Sequence, residues 1–460
     1  MSTFEHLYAD ALKRCSNRPF LVAPSKTWTY GDFFRRVDRM AASLAQLPEN
    51  NLASYMADSP ALVALMFASA SSGKSLLVMD RNFDASKVEA LTDSLNIDTL
   101  FTDDAESLQT NCELRSIVDL WESDAVADHE QGVWPDGFEA ELRILTSGTT
   151  GSPKCARYRW SDLVAQLGQP SEQPGQRWLF AYHLNHFAGV QMLLHVLAVK
   201  GTLVLTESNR VADALRALLD FNVTHISSTP TFWRFALALL KNGHTTPQLR
   251  HITLGSEAVT ADLLTQLKYN FPAARIIHIY ASTEAGSCVS VDDMNPGLPV
   301  SILSRPSDAA VQFKIEEGEL QVRTLHGMVS YLESEPVIGT VGQRDWRRTG
   351  DLVAIEGDRI QFRGRRSEVI NVGGVKVYPL EVESLLNEIA DIKLIRVYGQ
   401  ANPVVGEIVA VDVVLHEGAD SESVENSIRE ISQQLPRHSR PRSINFVAIL
   451  DTVNNKLSRR

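Results

Sequence analysis

One ten-residue string, Leu145 to Lys154, does most to limit what this chain can become. It reads Leu145-Thr146-Ser147-Gly148-Thr149-Thr150-Gly151-Ser152-Pro153-Lys154 and follows Glu141–Leu145, which reads as a short strand. Two glycines allow tight turns and let main-chain N–H groups approach an anion. The hydroxyls of Thr146, Ser147, Thr149 and Thr150 can donate to phosphate oxygens, and Lys154 adds a mobile positive charge. The string therefore predicts a sheet with a phosphate cradle where one strand ends. It is not the common P-loop, which has Gly-x4-Gly-Lys-Ser/Thr opening a helix. Here Gly148 and Gly151 stand closer together, and Pro153 precedes the lysine.

The chain around the string supplies the sheet. Phe33, Phe34, Val37, Met40, Ala41 and Leu44 recur at helical spacing and predict one buried face. Ser59-Pro60 is a cap and first-turn pair, and Gly73 ends the helix they open. Ser75–Asp80 reads as a strand, 85–95 as a helix and Ile97–Phe101 as a strand. This alternation predicts parallel sheet covered by helices. A length of 460 residues suits a large domain with a smaller companion. The net charge of −12 argues against a nucleic-acid partner. Met1–Tyr8 lacks the basic and apolar regions of a signal peptide, and the apolar run Ala61–Ala70 is too short for a membrane span. Cys15, Cys112, Cys155 and Cys288 have no metal or redox spacing and read as reduced thiols, so a cytoplasmic protein is expected.

Further along, His183, His186 and His195 have no carboxylate or cysteine nearby in sequence to complete a metal set. Arg275–Gly286 reads as a strand that delivers Tyr280, Thr283 and Glu284 at its C-terminal end, where open α/β sheets place ligands. Trp346–Asp351 ends in Thr-Gly-Asp, and Val353–Phe362 reads as a hairpin about Gly357-Asp358. The last stretch predicts a compact α+β unit. Its helices fall near Leu380–Ala390 and Ser421–Leu435, and its strands near Lys393–Tyr398, Glu407–Leu415 and Ser443–Leu450.

These segments stand in the order seen in the adenylate-forming superfamily, which includes acyl-CoA synthetases, peptide-synthetase adenylation domains and luciferases. The chain resembles that superfamily from Thr29 to Arg459. The resemblance implies an α/β fold with a large N-terminal domain of mixed and parallel sheets covered by helices, residues 1–363. A small mobile α+β domain, residues 364–460, would carry a catalytic lysine, Lys456. It implies that Thr146, Ser147, Gly148, Thr149, Thr150, Gly151 and Lys154 hold the phosphates of ATP. Gly255, Ser256, Glu257, Tyr280 and Ala281 would lie along the adenine, Asp351 and Arg365 at the ribose, and Gly373-Gly374 beside a thiol arm. Thr283 would meet the α-phosphate and Glu284 would hold Mg²⁺. His186, Phe187, Gly189 and Thr229, with Ser256 and Ala281, would line the pocket for a small-molecule carboxylic acid. The chain departs from the pattern at Ser256, Ala281, Ser367 and Asn455, where relatives carry Gly, Gly, Asp or Lys, and Gly.

The implied reaction is ATP-dependent conversion of a carboxylic acid to an acyl-adenylate, followed by transfer to a thiol. No acidic residue stands between Phe180 and Gly189, where amino-acid-activating relatives place an Asp. Aryl or short to medium acyl acids are therefore expected. Coenzyme A is the first choice of thiol for a free-standing chain. The alternatives are the phosphopantetheine of an acyl carrier protein, or a degenerate nucleotide-binding protein with a regulatory role.

Overall fold

The computed structural model describes residues 3–105, 108, 110–122, 140–146, 154–168, 170, 172–173, 175–208, 210–240, 247–332, 345–450, 452–453 and 456–457. Its centre is a layer of helices: Phe4–Cys15, Tyr30–Ala45, Pro60–Ser71 and Phe187–Ala198. Thr29 caps the second by accepting from Asp32 N, and Phe33, Phe34, Val37, Met40, Ala41 and Leu44 are buried along its inner face. Ser59 caps the third by accepting from Leu62 N, with Pro60 in its first turn. That helix is apolar nearly all round, so it can only sit inside.

A sheet lies on each side of this layer. Among the described residues one has seven strands, running from Ser330–Tyr331 through Lys154–Arg159, Glu141–Thr146, Ser75–Met79, Asn51–Tyr55 and Thr99–Thr102 to Glu113–Ser116. The other has eight: Gly286–Val291, Arg275–Ser282, His251–Gly255, His225–Ser228, Arg177–Phe180, Thr202–Val204, Pro19–Ala23 and Lys26–Thr29. Both are parallel in the middle and antiparallel at one or both edges. Side chains alternate across the pleat. Leu142 and Ile144 face the central helices, whereas Leu145 faces the outer helix Ala85–Ser94. Helices Val211–Asp220, Pro230–Leu240 and Ala261–Asn270 cover the outer face of the eight-stranded sheet.

A five-stranded sheet follows, ordered Leu298–Pro299, Arg359–Arg365, Arg347–Glu356, Glu319–Thr324, Val311–Glu316. The last unit pairs Ile370–Val372, Val375–Val377, Ile392–Asn402, Gly406–Leu415 and Ser443–Phe446, with helices Pro379–Leu386 and Ser421–Ile431. Phe235, on the helix Pro230–Leu240, packs with Leu394, Val414 and Leu450 and joins this unit to the larger one.

The expected elements are present, with shifted ends. The strand expected from Ile97 begins at Thr99, because Asn96 takes a left-handed φ of 50° and Ile97 N bonds back to Thr92 O. The helix expected to reach Leu435 stops at Ile431 and tightens to a 3-10 turn over Ser432–Gln434, ahead of Pro436. The strand expected over Ser443–Leu450 ends at Phe446.

Candidate active site

Thr146 and Lys154 face each other across a hairpin, and Thr146 Oγ1 donates to the Lys154 carbonyl at 3.3 Å. Ser147, Gly148, Thr149, Thr150 and Gly151, expected to cradle phosphate, lie outside the described residues. Lys154 Nζ stands 5.4 Å from the centroid of the Tyr331 ring. Tyr331 Oη donates to Glu284 Oε1 at 2.7 Å. Burial, then the charge of Glu284 and this bond, push the Tyr331 pKa up, so the phenol stays a neutral donor. Arg347 donates from Nη1 to the Glu284 carbonyl at 2.8 Å and from Nη2 to the Met328 carbonyl at 3.2 Å. The turn carrying Thr283 and Glu284 is thus fixed from the neighbouring sheet. Gln166 adds a third tie, accepting from Ser287 N at 3.0 Å and donating to the His326 carbonyl.

A second cluster forms where the third sheet meets the strand Arg275–Ser282. Tyr280 Oη donates to Asp351 Oδ2 at 2.7 Å, and Arg365 Nε lies 3.0 Å from Asp351 Oδ1. Asp351 and Arg365 are cross-strand partners, so their pairing follows from the register of the hairpin about Gly357-Asp358. Burial raises the Asp351 pKa against the pull of Arg365 and Tyr280. The Tyr280 ring stacks on Phe362 at 5.4 Å. Beneath lies Glu319, 1% exposed. It accepts from Gly350 N at 2.9 Å, Arg348 Nε at 2.9 Å and Arg366 Nη2 at 2.8 Å.

The expected acid pocket divides between two helix starts. Thr229 Oγ1 accepts from Phe232 N at 3.0 Å, and Glu257 accepts from Thr231 N at 2.8 Å and Thr231 Oγ1 at 2.9 Å. Both side chains cap the helix Pro230–Leu240, which is a structural duty the sequence reading did not foresee. Ser256 has φ 73°, a left-handed conformation that glycine adopts without strain. Gly255 lies beside the Tyr182 hydroxyl, and Ala281 sits at a bulge in its strand. His186 is the N-cap residue of Phe187–Ala198. Phe187 turns into the core and stacks on Tyr158, and a side chain on Gly189 would run into the His183 carbonyl.

Of the three histidines, His183 and His186 are ring neighbours with centroids 6.2 Å apart, and His195 lies elsewhere. His183 Nδ1 lies 3.0 Å from Asp58 Oδ2, which reaches it from the other sheet. Burial opposes protonation of His183, but the Asp58 hydrogen bond and charge, with that of Asp80, leave its pKa raised. His195 lies against Trp178 instead, with His225 and His251 around the same ring.

Gly373 and Gly374 form the two-residue turn between Ile370–Val372 and Val375–Val377, with φ of 59° and 87°. Two successive positive φ values are what such a hairpin needs, and an added Cβ at either would meet nothing within 4 Å. Lys456 lies in a short strand paired with Thr452–Val453, close to the helix Pro230–Leu240. Sequence reasoning did not single out Tyr331, Arg347, Asp58, Gln166 or Glu319, because no spacing links them to their partners.

A hairpin that pairs Thr146 with Lys154, a carboxylate at a strand end and an Asp–Tyr–Arg cluster about the buried Asp351 thus occur in one fold. Residues 8–328 match the AMP-binding enzyme family, and residues 381–456 match the AMP-binding enzyme C-terminal domain. The chain belongs to the AMP-binding enzyme family. This AMP-binding enzyme is 24% identical over 468 residues to a 2-succinylbenzoate–CoA ligase of Bacillus pumilus (strain SAFR-032), covering 96% of this chain and 94% of that one. It is 24% identical over 467 residues to a D-alanine–D-alanyl carrier protein ligase of Staphylococcus epidermidis, covering 93% and 92%. Its fold superposes on o-succinylbenzoate CoA synthetase from Bacillus subtilis, in complex with an acyl-adenylate intermediate, with a TM-score of 0.77 at 21% identity. That match covers 100% of this chain and 98% of the other. A further solved o-succinylbenzoate coenzyme A synthetase from Bacillus subtilis, 22% identical with a TM-score of 0.76 over 98% of each of this chain and that one, is in complex with ATP and a magnesium ion. Among the described residues no helix is long and apolar enough to cross a membrane.

Proposed function

We propose that this enzyme activates an aryl or short to medium acyl carboxylic acid and passes the acyl group to coenzyme A. The observation that carries the reading is the meeting of Thr146, Lys154, Tyr331 and Glu284 at the seam between the two large sheets. The donor set suits Mg·ATP: hydroxyl and ammonium for phosphate, Glu284 as a hard oxygen ligand, and Asp351 as acceptor for ribose hydroxyls. Bound Mg²⁺ would offset charge on the phosphates.

In this reading Lys154 and the loop 146–154 hold the departing phosphates while Thr283 meets the α-phosphate. Tyr280 and the segment Gly255–Glu257 lie along the adenine, and Arg365 helps Asp351 at the ribose. The acid sits against His186, Gly189, Ser256 and Ala281. Lys456 neutralises charge between carboxylate and phosphate, so the chain's work is positioning and electrostatic stabilisation. The unit beginning at residue 364 then turns about Ser367, which lies in the short turn Arg366–Glu368, and brings Gly373-Gly374 toward the thiol. The placement of the Lys456 strand beside Pro230–Leu240 is consistent with the first, adenylating arrangement. A cytoplasmic setting suits ATP and a free thiol.

Two features support the substrate class. The segment 180–189 carries no acid of its own, and Asp58, which reaches it, is committed to His183 and to Leu184 N at 3.0 Å. Relatives named for 2-succinylbenzoate and coenzyme A fit an aromatic acid and a free thiol. The D-alanyl carrier protein ligases keep a carrier-bound phosphopantetheine as the second reading. ATP–pyrophosphate exchange over a panel of acids tests the first half. Adding coenzyme A or a phosphopantetheinylated carrier protein tests the second. Exchange with amino acids above their deaminated counterparts would overturn the substrate class, and acylation of the carrier alone would overturn the acceptor.

A further inference from the structure

We propose that Phe235 and the ion pair Arg363–Glu381 form a dock that holds the C-terminal unit in the adenylating arrangement and so positions the strand bearing Lys456. The inference rests on the rotation about Ser367 proposed above. Phe235 lies on the helix Pro230–Leu240, whose residues Phe232, Trp233, Ala236, Leu237 and Leu240 pack against the eight-stranded sheet. Phe235 is not among them. It stands half-buried, against Leu394, Val414 and Leu450 of the C-terminal unit. Leu394 and Val414 are cross-strand partners. Ile395 and Val413 beside them point to the opposite face, into that unit's own core. Leu394 and Val414 are therefore buried outside that core, on the face where Phe235 packs.

The ion pair crosses the pivot. Arg363 lies in the strand Arg359–Arg365, before Ser367, and Glu381 in the helix Pro379–Leu386, after it. Arg363 Nη1 donates to Glu381 Oε1, and Nη2 donates to Glu356 Oε1 at 3.1 Å. A turn of the C-terminal unit about Ser367 separates Glu381 from Arg363 and lifts Leu394, Val414 and Leu450 off Phe235. Glu356, on the paired strand Arg347–Glu356, stays behind, so the guanidinium keeps a carboxylate. Release therefore costs mainly the apolar contact, and the half-exposed ion pair adds a smaller part. The helix that carries Phe235 also lies beside the strand Lys456–Leu457, and its first turn is capped by Thr229 and Glu257. One helix thus links the proposed pocket to the seat of the lysine-bearing strand.

The test reads arrangement and rate on the full chain. Spin labels are placed at Tyr269→Cys in the large unit and Glu430→Cys in the C-terminal unit, both exposed positions, with Cys112→Ser because the other native cysteines are buried. Label separations are measured by pulsed electron paramagnetic resonance with α,β-methylene-ATP. They are measured again with coenzyme A and the acyl-sulfamoyl adenosine of the acid most active in pyrophosphate exchange. The labelled parent should show two separations, the first favoured by the ATP analogue and the second by the other pair. Phe235→Ala should lower the first-to-second population ratio roughly tenfold, as one lost aromatic contact allows, and Glu381→Gln about two- to fivefold. In both variants exchange should fall relative to thioester formation from the synthetic acyl-adenylate, and Phe235→Leu should keep most of the parent's balance. If Phe235→Ala does not fold, Glu381→Gln decides. A single separation in the parent under both conditions overturns the rotation, and the dock with it. Two separations in the parent with unchanged populations in the folded variants, or equal loss of both half-reactions, overturn the dock alone.

Discussion

Tyr331 donates its hydroxyl to Glu284 at 2.7 Å across 47 positions of sequence. The bond joins an edge strand of one large sheet to the turn that leaves the other. It fixes one oxygen of the carboxylate proposed to hold Mg²⁺. A hydrogen bond to a charged group contributes about 1.5–3 kcal/mol, and part of that should be lost from the metal-loaded site in Tyr331→Phe. The Mg²⁺ concentration for half-maximal pyrophosphate exchange should rise severalfold. An unchanged Mg²⁺ dependence would detach Tyr331 from the metal.

Asp351→Ala should weaken ATP and AMP binding. The carboxylate serves Tyr280 and Arg365 here and is proposed to accept the ribose hydroxyls. Loss of charge-assisted bonds of about 1.5–3 kcal/mol corresponds to roughly a tenfold or greater rise in Kd. Calorimetry on the folded variant checks this, and wild-type affinity would remove Asp351 from the nucleotide site.

Lys456→Ala should separate the two half-reactions. Removing one preorganised donor typically costs about 10²–10³ in rate, and adenylation should fall by at least that much. Thioester formation from a synthetic acyl-adenylate should stay near the parent rate. Equal losses in both steps would contradict a role confined to adenylation.

Stability should decline in mild acid. Burial is the main force pushing His195, His225 and His251 down to about 4 from an ordinary 6.5. His225 is also disfavoured as a cation by His251 and Arg250, and His251 by Arg275. The unfolded chain therefore binds more protons between those values, and stability rises with pH there. The contribution is complete above pH 6.5 and is lost as pH falls toward 4, by about 1.4 kcal/mol per unit for each histidine. Urea midpoints across that range should show the slope, and His251→Gln should flatten it. An identical slope in the variant would assign the effect to other groups.

Ser256→Gly should leave stability nearly unchanged while altering acid preference. It relieves a left-handed φ of 73°, while glycine costs about 0.5–1 kcal/mol in unfolded-chain entropy. The freed volume at the proposed pocket wall should admit bulkier acids in the exchange panel. An unaltered ranking of acids would place Ser256 away from the substrate.

Much of this molecule was legible as local pattern. The capping pair Ser59-Pro60, the buried face of Tyr30–Ala45 and the hairpin about Gly357-Asp358 are short-range consequences of side-chain chemistry, and they occur where the sequence implies. Element ends were less legible. They depend on single backbone choices, such as the left-handed Asn96, that no periodicity announces.

The candidate site divides along the same line. Thr146, Lys154, Tyr280, Glu284 and Asp351 stand in recognisable strings, because each string must itself make the turn or strand end that presents the side chain. Their partners do not. Glu284 finds Tyr331, Asp58 finds His183, and Glu319 ties Gly350 to Arg366 beside the proposed pivot. Thr229, read as a pocket residue, and Glu257, read as lying along the adenine, also cap the helix Pro230–Leu240. The sequence by itself determined the elements and the kinds of chemistry at their ends, since these follow from neighbours within a few residues. Only the tertiary structure decided which groups meet, because those contacts form where separate sheets and helices close on one another, and their energy depends on burial and geometry that local order does not contain.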